Sequence, residues 1–163
     1  TNMKTAAGVA PVVKMLDAGV AVGIGTDGAA SNNDLDMWEE MRVGALLQKV
    51  NLMDPKVLPA RTVLSMATRK GAEAIGLGKM IGSLEIGKRA DLIQVLMRDV
   101  HHLPLYDVVS HLVYVTDEQD VDTVVVGGSI VMLHGNVLTV DKERVRRDAY
   151  LLAKGVGEKL GKL

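Results

Sequence analysis

Cysteine is missing from the 163-residue sequence, which excludes disulfides and thiolate metal sites but names no compartment by itself. Phenylalanine is missing too. The aromatics reduce to Trp38 and three tyrosines, too few for the stacking platforms that single-strand nucleic-acid binders use. Neither sign of charge dominates: 19 Lys and Arg stand against 20 Asp and Glu, a formal net charge of -1. Such a balance leaves no electrostatic footprint for nucleic acid or an anionic membrane. No apolar run reaches bilayer length and no signal-peptide pattern is read at the start. The expectation is a cytoplasmic, soluble protein with neither nucleic acid nor membrane as partner.

What is there centres on residues 21–33, Ala-Val-Gly-Ile-Gly-Thr-Asp-Gly-Ala-Ala-Ser-Asn-Asn. The first part carries Val, Ile and small residues without charge until Asp27, the pattern of a buried strand. Gly28, Ala29 and Ala30 let backbone pass close to a ligand, and Ser31, Asn32 and Asn33 favour the start of a helix over its interior. The order is therefore strand, acid, tight turn, capped helix. In parallel α/β proteins the carboxyl ends of strands are where ligands sit, so Asp27 is a site candidate. Against it stands the plainer role of a turn-capping carboxylate. Gly23, Gly25 and Gly28 imitate a dinucleotide loop only weakly, because Thr26-Asp27 interrupts the spacing and no ribose-binding acid follows at the required distance.

Around this stretch the periodicities alternate between helix and strand. The apolar spacing over residues 5–18 suggests a helix that becomes regular near Pro11, ended by Gly19. Met37, Trp38, Met41, Gly44, Ala45 and Gln48 share one face of a further helix, with Glu39, Glu40, Arg42 and Lys49 largely elsewhere on the wheel. Another helix is expected from Pro59 to about Ile75. From Gly82 the pattern turns to short strands at 91–96 and 121–126, the latter joined through Gly127-Gly128 to a strand at 129–133, the strongest hairpin signal in the chain. A strand at 136–140, a short helix within 105–115 and a charged terminal helix over 142–160 complete the expectation.

Two segments carry a resemblance. Residues 26–37, Thr-Asp-Gly-Ala-Ala-Ser-Asn-Asn-Asp-Leu-Asp-Met, and 82–92, Gly-Ser-Leu-Glu-Ile-Gly-Lys-Arg-Ala-Asp-Leu, with Asn2-Met3-Lys4 ahead of them, resemble the amidohydrolase superfamily. Within it the sequence is most similar to the 5'-methylthioadenosine/S-adenosylhomocysteine deaminases. The similarity runs over almost the whole chain but covers only the C-terminal portion of that family. The first segment is fairly specific to the adenosine-type branch; the second is shared widely and places the fold more than the substrate. A complete (β/α)8 barrel needs about 250 residues, and the sequence opens on Thr1, so the chain is read as a fragment.

The resemblance implies an α/β fold: the C-terminal part of a (β/α)8 metallo-hydrolase barrel plus a small antiparallel β-sandwich-like domain. The expected division is 1–78 for the last βα units, 79–141 for a β-rich domain with a crossover helix near 105–115, and 142–163 for the terminal helix. It further implies that Asp27 ends the eighth barrel strand, serves as catalytic residue, and is the carboxylate ligand of one divalent metal, zinc by first choice. Zinc would lower the pKa of a water toward about 7. That water would attack the amino-bearing carbon of an adenosine-type substrate, S-adenosylhomocysteine or methylthioadenosine, and release ammonia with the inosine analogue.

Ser31 and Asn32 would line the purine pocket, helix capping being their plainer role; Asn2 and Lys4 match a segment near the site mouth. The histidine ligands of the family lie upstream, so the chain alone is expected to be inactive and to need the missing N-terminal portion as partner, with a homo-oligomer left open. His101 and His102, being adjacent, are expected to diverge, and with His111 and His134 to be surface or locally hydrogen-bonded residues. Two other readings stand beside this one: another amidohydrolase of the guanine deaminase or triazine chlorohydrolase type, and a non-catalytic folded fragment.

Overall fold

A computed structural model describes residues 1–161. Seven α-helices and one antiparallel sheet follow one another as α1 (Val12–Asp17), α2 (Ala29–Asn32), α3 (Met37–Leu52), α4 (Ala60–Ala67), α5 (Arg69–Ala74), β1 (Leu92–Val95), α6 (Val108–Tyr114), β2 (Val121–Val126), β3 (Ser129–Leu133), β4 (Asn136–Val137) and α7 (Lys142–Lys159). One 3-10 turn, Val100–His102, precedes α6, and another, Glu118–Asp120, leads into β2.

The core is helical. Met41 and Ala45 of α3, Val63 and Met66 of α4, Val113 of α6 and Leu58 form one buried cluster, against which Val12, Leu16, Val22, Ile24 and Trp38 pack at half-burial. Helix α3 starts where Asp36 accepts the Trp38 amide at 2.7 Å, so the cap is Asp36 rather than Ser31 or Asn33. Three polar side chains of α3 fasten neighbouring segments. Arg42 donates to the Thr116 carbonyl at 2.7 Å, buried Gln48 donates to the Ala10 carbonyl at 2.8 Å, and Lys49 holds the Val57 and Leu58 carbonyls. These bonds explain why Arg42 and Lys49, which a helical wheel puts off the apolar face, are nonetheless engaged.

Two expected elements form differently. The helix expected from Pro59 to Ile75 breaks at Thr68, whose backbone (φ -128°, ψ -101°) leaves helical geometry between α4 and α5. The break brings the backbones of α5 and the 20–27 segment together: a Cβ on Gly71 would lie 2.6 Å from the Met66 carbonyl oxygen, and one on Gly23 3.0 Å from the Gly71 Cα. Glycine is needed at both places for that approach. The buried strand expected before Asp27 makes no sheet ladder among the described residues; its backbone tie is Ile24 N–H to the Met66 carbonyl at 3.3 Å. A parallel strand needs neighbours on its edges, and this chain places none beside it.

The β unit is one four-stranded antiparallel sheet in the order β1-β2-β3-β4, not two sheets packed as a sandwich. The Gly127-Gly128 turn closes β2 onto β3 with both glycines at positive φ, as the hairpin signal requires. Helix α6 begins at Asp107, which accepts the Ser110 amide at 2.6 Å. Helix α7 is capped by Asp141 accepting the Arg144 amide at 3.0 Å and buries no residue. No helix among the described residues is long and apolar enough to cross a membrane.

Candidate active site

Asp27 sits where the extended 20–27 segment turns into α2, at φ +62°, a left-handed conformation that Asp tolerates better than most side chains. Its Oδ1 accepts the Gly28 amide at 2.7 Å. The Ser31 hydroxyl can turn its one proton to Asp27 or to the Gly28 carbonyl 3.0 Å away. The Ser31 hydroxyl and then the Gly28 amide hold the Asp27 carboxyl below the usual carboxylate range, outweighing the opposing effect of partial desolvation. Asp27 is therefore an anion at neutral pH.

The carboxylate is exposed at the edge of an open cavity of about 690 Å³. Val22, Gly23, Ile24 and Gly25 form one wall, and α3 forms another through Glu39, Glu40, Val43, Gly44, Leu47 and Gln48. Of the residues singled out from sequence, Asn2, Lys4, Asp27 and Asn32 line this cavity together; Ser31 does not line it and meets Asp27 from the turn. Asn32 Nδ2 donates to Glu40 Oε1 at 2.8 Å, so its amide is fixed against α3. Sequence reasoning missed Glu39 and Glu40, which it put on an outer face. The available signal was their place in the first turn of the helix after the Asp27 loop, where side chains turn back toward the preceding turn.

The volume suits a nucleoside-sized ligand. As a metal site it is partial: Asp27 contributes an anionic oxygen donor, but no histidine lines the cavity. A zinc site takes about four ligands. One carboxylate fits as a member of such a set. A second hollow, about 880 Å³, lies between α5 and the faces of β1 and β2. Its lining carboxylate, Asp91, already accepts the Gly127 amide at 2.6 Å, so it offers no comparable chemistry.

The histidines depart from expectation. His101 and His102 do not diverge: the tight 3-10 turn stacks their rings with centroids 4.1 Å apart, and both Nε2 atoms approach Asp120 Oδ1. His102 is fully buried rather than on the surface. His134 is the locally bonded kind, 3.1 Å from Asp122 at the surface.

An extended segment ending in an anionic Asp, a helical layer packed against it and a small antiparallel sheet beyond them make up a chain of α and β elements. Residues 1–131 match the model of the Amidohydrolase family, and the chain belongs to that family. It is 57% identical over 154 residues to a 5-methylthioadenosine/S-adenosylhomocysteine deaminase of Desulforudis audaxviator, covering 94% of this chain and 36% of that protein. It is 51% identical over 154 residues to a 5'-deoxyadenosine deaminase of Methanosarcina barkeri, covering 94% and 35%. Among solved structures, an adenosine deaminase from Xanthomonas campestris with bound zinc superposes with TM-score 0.92 at 37% identity, over 95% of this chain and 35% of that one. The atrazine chlorohydrolase TrzN from Arthrobacter aurescens, complexed with zinc, gives TM-score 0.82 at 31% identity, over 93% and 34%. The chain thus spans about a third of the length of the relatives it matches.

Proposed function

We propose that this chain is the C-terminal section of a metal-dependent hydrolytic deaminase that converts an adenosine-type substrate, S-adenosylhomocysteine, methylthioadenosine or a 5'-deoxyadenosine, to the inosine analogue and ammonia. The observation that carries the proposal is Asp27: an anionic carboxylate at the rim of a nucleoside-sized cavity, in a chain whose relatives at 57% and 51% identity are adenosine-type deaminases. Residues 1–78 supply the last βα units of the barrel in this reading, 79–141 the small β domain and 142–163 the terminal helix, of which 162 and 163 lie outside the described residues.

Within the complete protein Asp27 is one ligand of a divalent metal, zinc by the zinc-bound neighbours, with histidines from the N-terminal portion. The metal, when bound, supplies Lewis acidity and an activated water at neutral pH. This chain's own part is to keep Asp27 ionised through the Ser31 hydroxyl and the Gly28 amide, so that its free oxygen can accept a proton from the water attacking the purine. Asn32, held by Glu40, presents its amide at the cavity wall where a purine edge would lie. The apolar wall of Val22, Ile24 and Val43 excludes water from the opposite side.

The experiment is turnover of these nucleosides by the full-length protein, followed by the ultraviolet change from aminopurine to oxopurine. Asp27→Asn is expected to lose more than about a hundredfold in rate, at least the loss that disturbing a metal's outer partners produces. If the full-length protein leaves every 6-aminopurine nucleoside untouched but hydrolyses a chlorotriazine or guanine, the substrate assignment falls to the second reading. That alternative is kept because TrzN shares the fold at 31% identity.

A further inference from the structure

On the sheet side of the chain lies a cluster that the Asp27 cavity does not use. His101 Nε2 stands 3.2 Å from Asp120 Oδ1 and His102 Nε2 stands 3.1 Å from the same oxygen. The three ligand atoms all lie within 4.8 Å of one another. We propose that His101, His102 and Asp120 form a binding site for a divalent transition-metal ion such as zinc, tying the 3-10 turn after β1 to the one before β2.

Three observations carry this. First, the two imidazole–carboxylate separations fit. A tetrahedral ion with bonds of about 2.0–2.1 Å keeps its ligand atoms about 3.3 Å apart, close to both imidazole–carboxylate distances. Second, His102 is 0% exposed and neither of its ring nitrogens has a hydrogen-bond partner. The 3.1 Å approach of its Nε2 to Asp120 lacks the alignment of an N–H···O bond. In a hydrogen bond the nitrogen is aimed at the oxygen, whereas two ligands of one ion are both aimed at a third point between them. A buried imidazole without partners is costly, and an ion bonded to Nε2 relieves that cost.

Third, the carboxylate is already oriented. Asp120 Oδ2 accepts the Asp117 amide at 3.0 Å within a reciprocal capping box, so Oδ1 is held toward the two rings. The donor set of two imidazoles and one carboxylate suits zinc, cobalt, nickel or copper and not magnesium or calcium, which prefer all-oxygen shells. His101, 48% exposed on its side chain, leaves a solvent-facing side where a water completes the coordination.

The test is titration of the untagged, chelator-stripped 163-residue chain with cobalt(II), read by visible absorption, and with zinc, read by calorimetry and thermal unfolding. One equivalent is expected to bind with the bands of four-coordinate cobalt, and zinc is expected to raise the unfolding temperature. His101→Gln and His102→Gln should each weaken binding by more than roughly a hundredfold, since removing a ligand costs at least as much as disturbing its outer partners. His102→Gln replaces a buried ring and can unfold the chain. His101→Gln, at a half-exposed position, keeps the fold and carries the decision. Asp27→Asn should bind as the unaltered chain does. No saturable binding, binding unchanged in His101→Gln, or binding lost in Asp27→Asn overturns the proposal.

Discussion

The β1–β4 sheet and the 20–27 segment are both apolar, short and rich in Val and Ile, yet one forms a complete ladder and the other forms none. The difference lies in where each finds its partners. β2 pairs with β3 across two glycines and with β1 through Leu92–Val125 and Ile93–Val124, all within this chain. The 20–27 segment has α4 and α5 on one side, with a single amide bonded to Met66, and its edges have no ladder partner among the described residues. An antiparallel unit can be closed by hairpins, whereas a parallel strand depends on crossovers that bring distant chain alongside.

That contrast can be tested most directly by amide hydrogen exchange. Amides of Val121–Val126 should exchange on the order of a hundredfold or more slower than those of Val20–Thr26 in the isolated chain. Addition of the N-terminal barrel portion that the proposed function calls for should slow only the second set. Equal protection of the two in the isolated chain would remove the distinction.

The next largest effect separates the helical core from the sheet. Met66→Ala deletes a side chain that is 2% exposed in the central cluster and should destabilise by about 2–5 kcal/mol. Ile130→Ala on β3, half exposed, should cost no more than about 1 kcal/mol. Both are read from guanidinium unfolding, and a reversed order would place the core in the wrong layer.

A smaller but more local effect is expected of Gly71→Ala. The added Cβ meets the Met66 carbonyl at 2.6 Å, so α5 must shift away from the end of α4, at about 1–3 kcal/mol. Helix propensity alone would make the same change stabilising. The sign of the unfolding shift therefore decides whether the close approach of Gly71 to the Met66 carbonyl governs this region.

The elements that were legible in the sequence are those with local causes. Pro11 before α1, the Gly127-Gly128 hairpin, and the apolar face of α3 each act within a few residues, and each appears where expected. The Thr68 break was not legible, because Arg69 to Ala74 continue a helical pattern and the bend goes with tertiary packing, Gly71 lying against the Met66 carbonyl and Gly23. At the candidate site the Asp27-Gly28 turn could be read from residue type, and so could the position of Asn32 near it. The bond of Glu40 to Asn32 could not, since that contact depends on the angle at which α3 leaves the loop. The pairing of His101 and His102 was misread on the rule that adjacent side chains diverge. That rule holds for extended strands and regular α-helices, and here a 3-10 turn and a shared carboxylate draw the rings together.

The Arg42 guanidinium joins α3 to the end of α6 across 74 residues of sequence, and Val113 sits beneath that joint without solvent contact. Between the two lies a loop whose tip, Leu84 to Gly87, stands fully in water. A protease that severs the tip would therefore cut the polymer without dismantling the object: the two pieces would remain locked together, migrate as one under native conditions, and part only in denaturant.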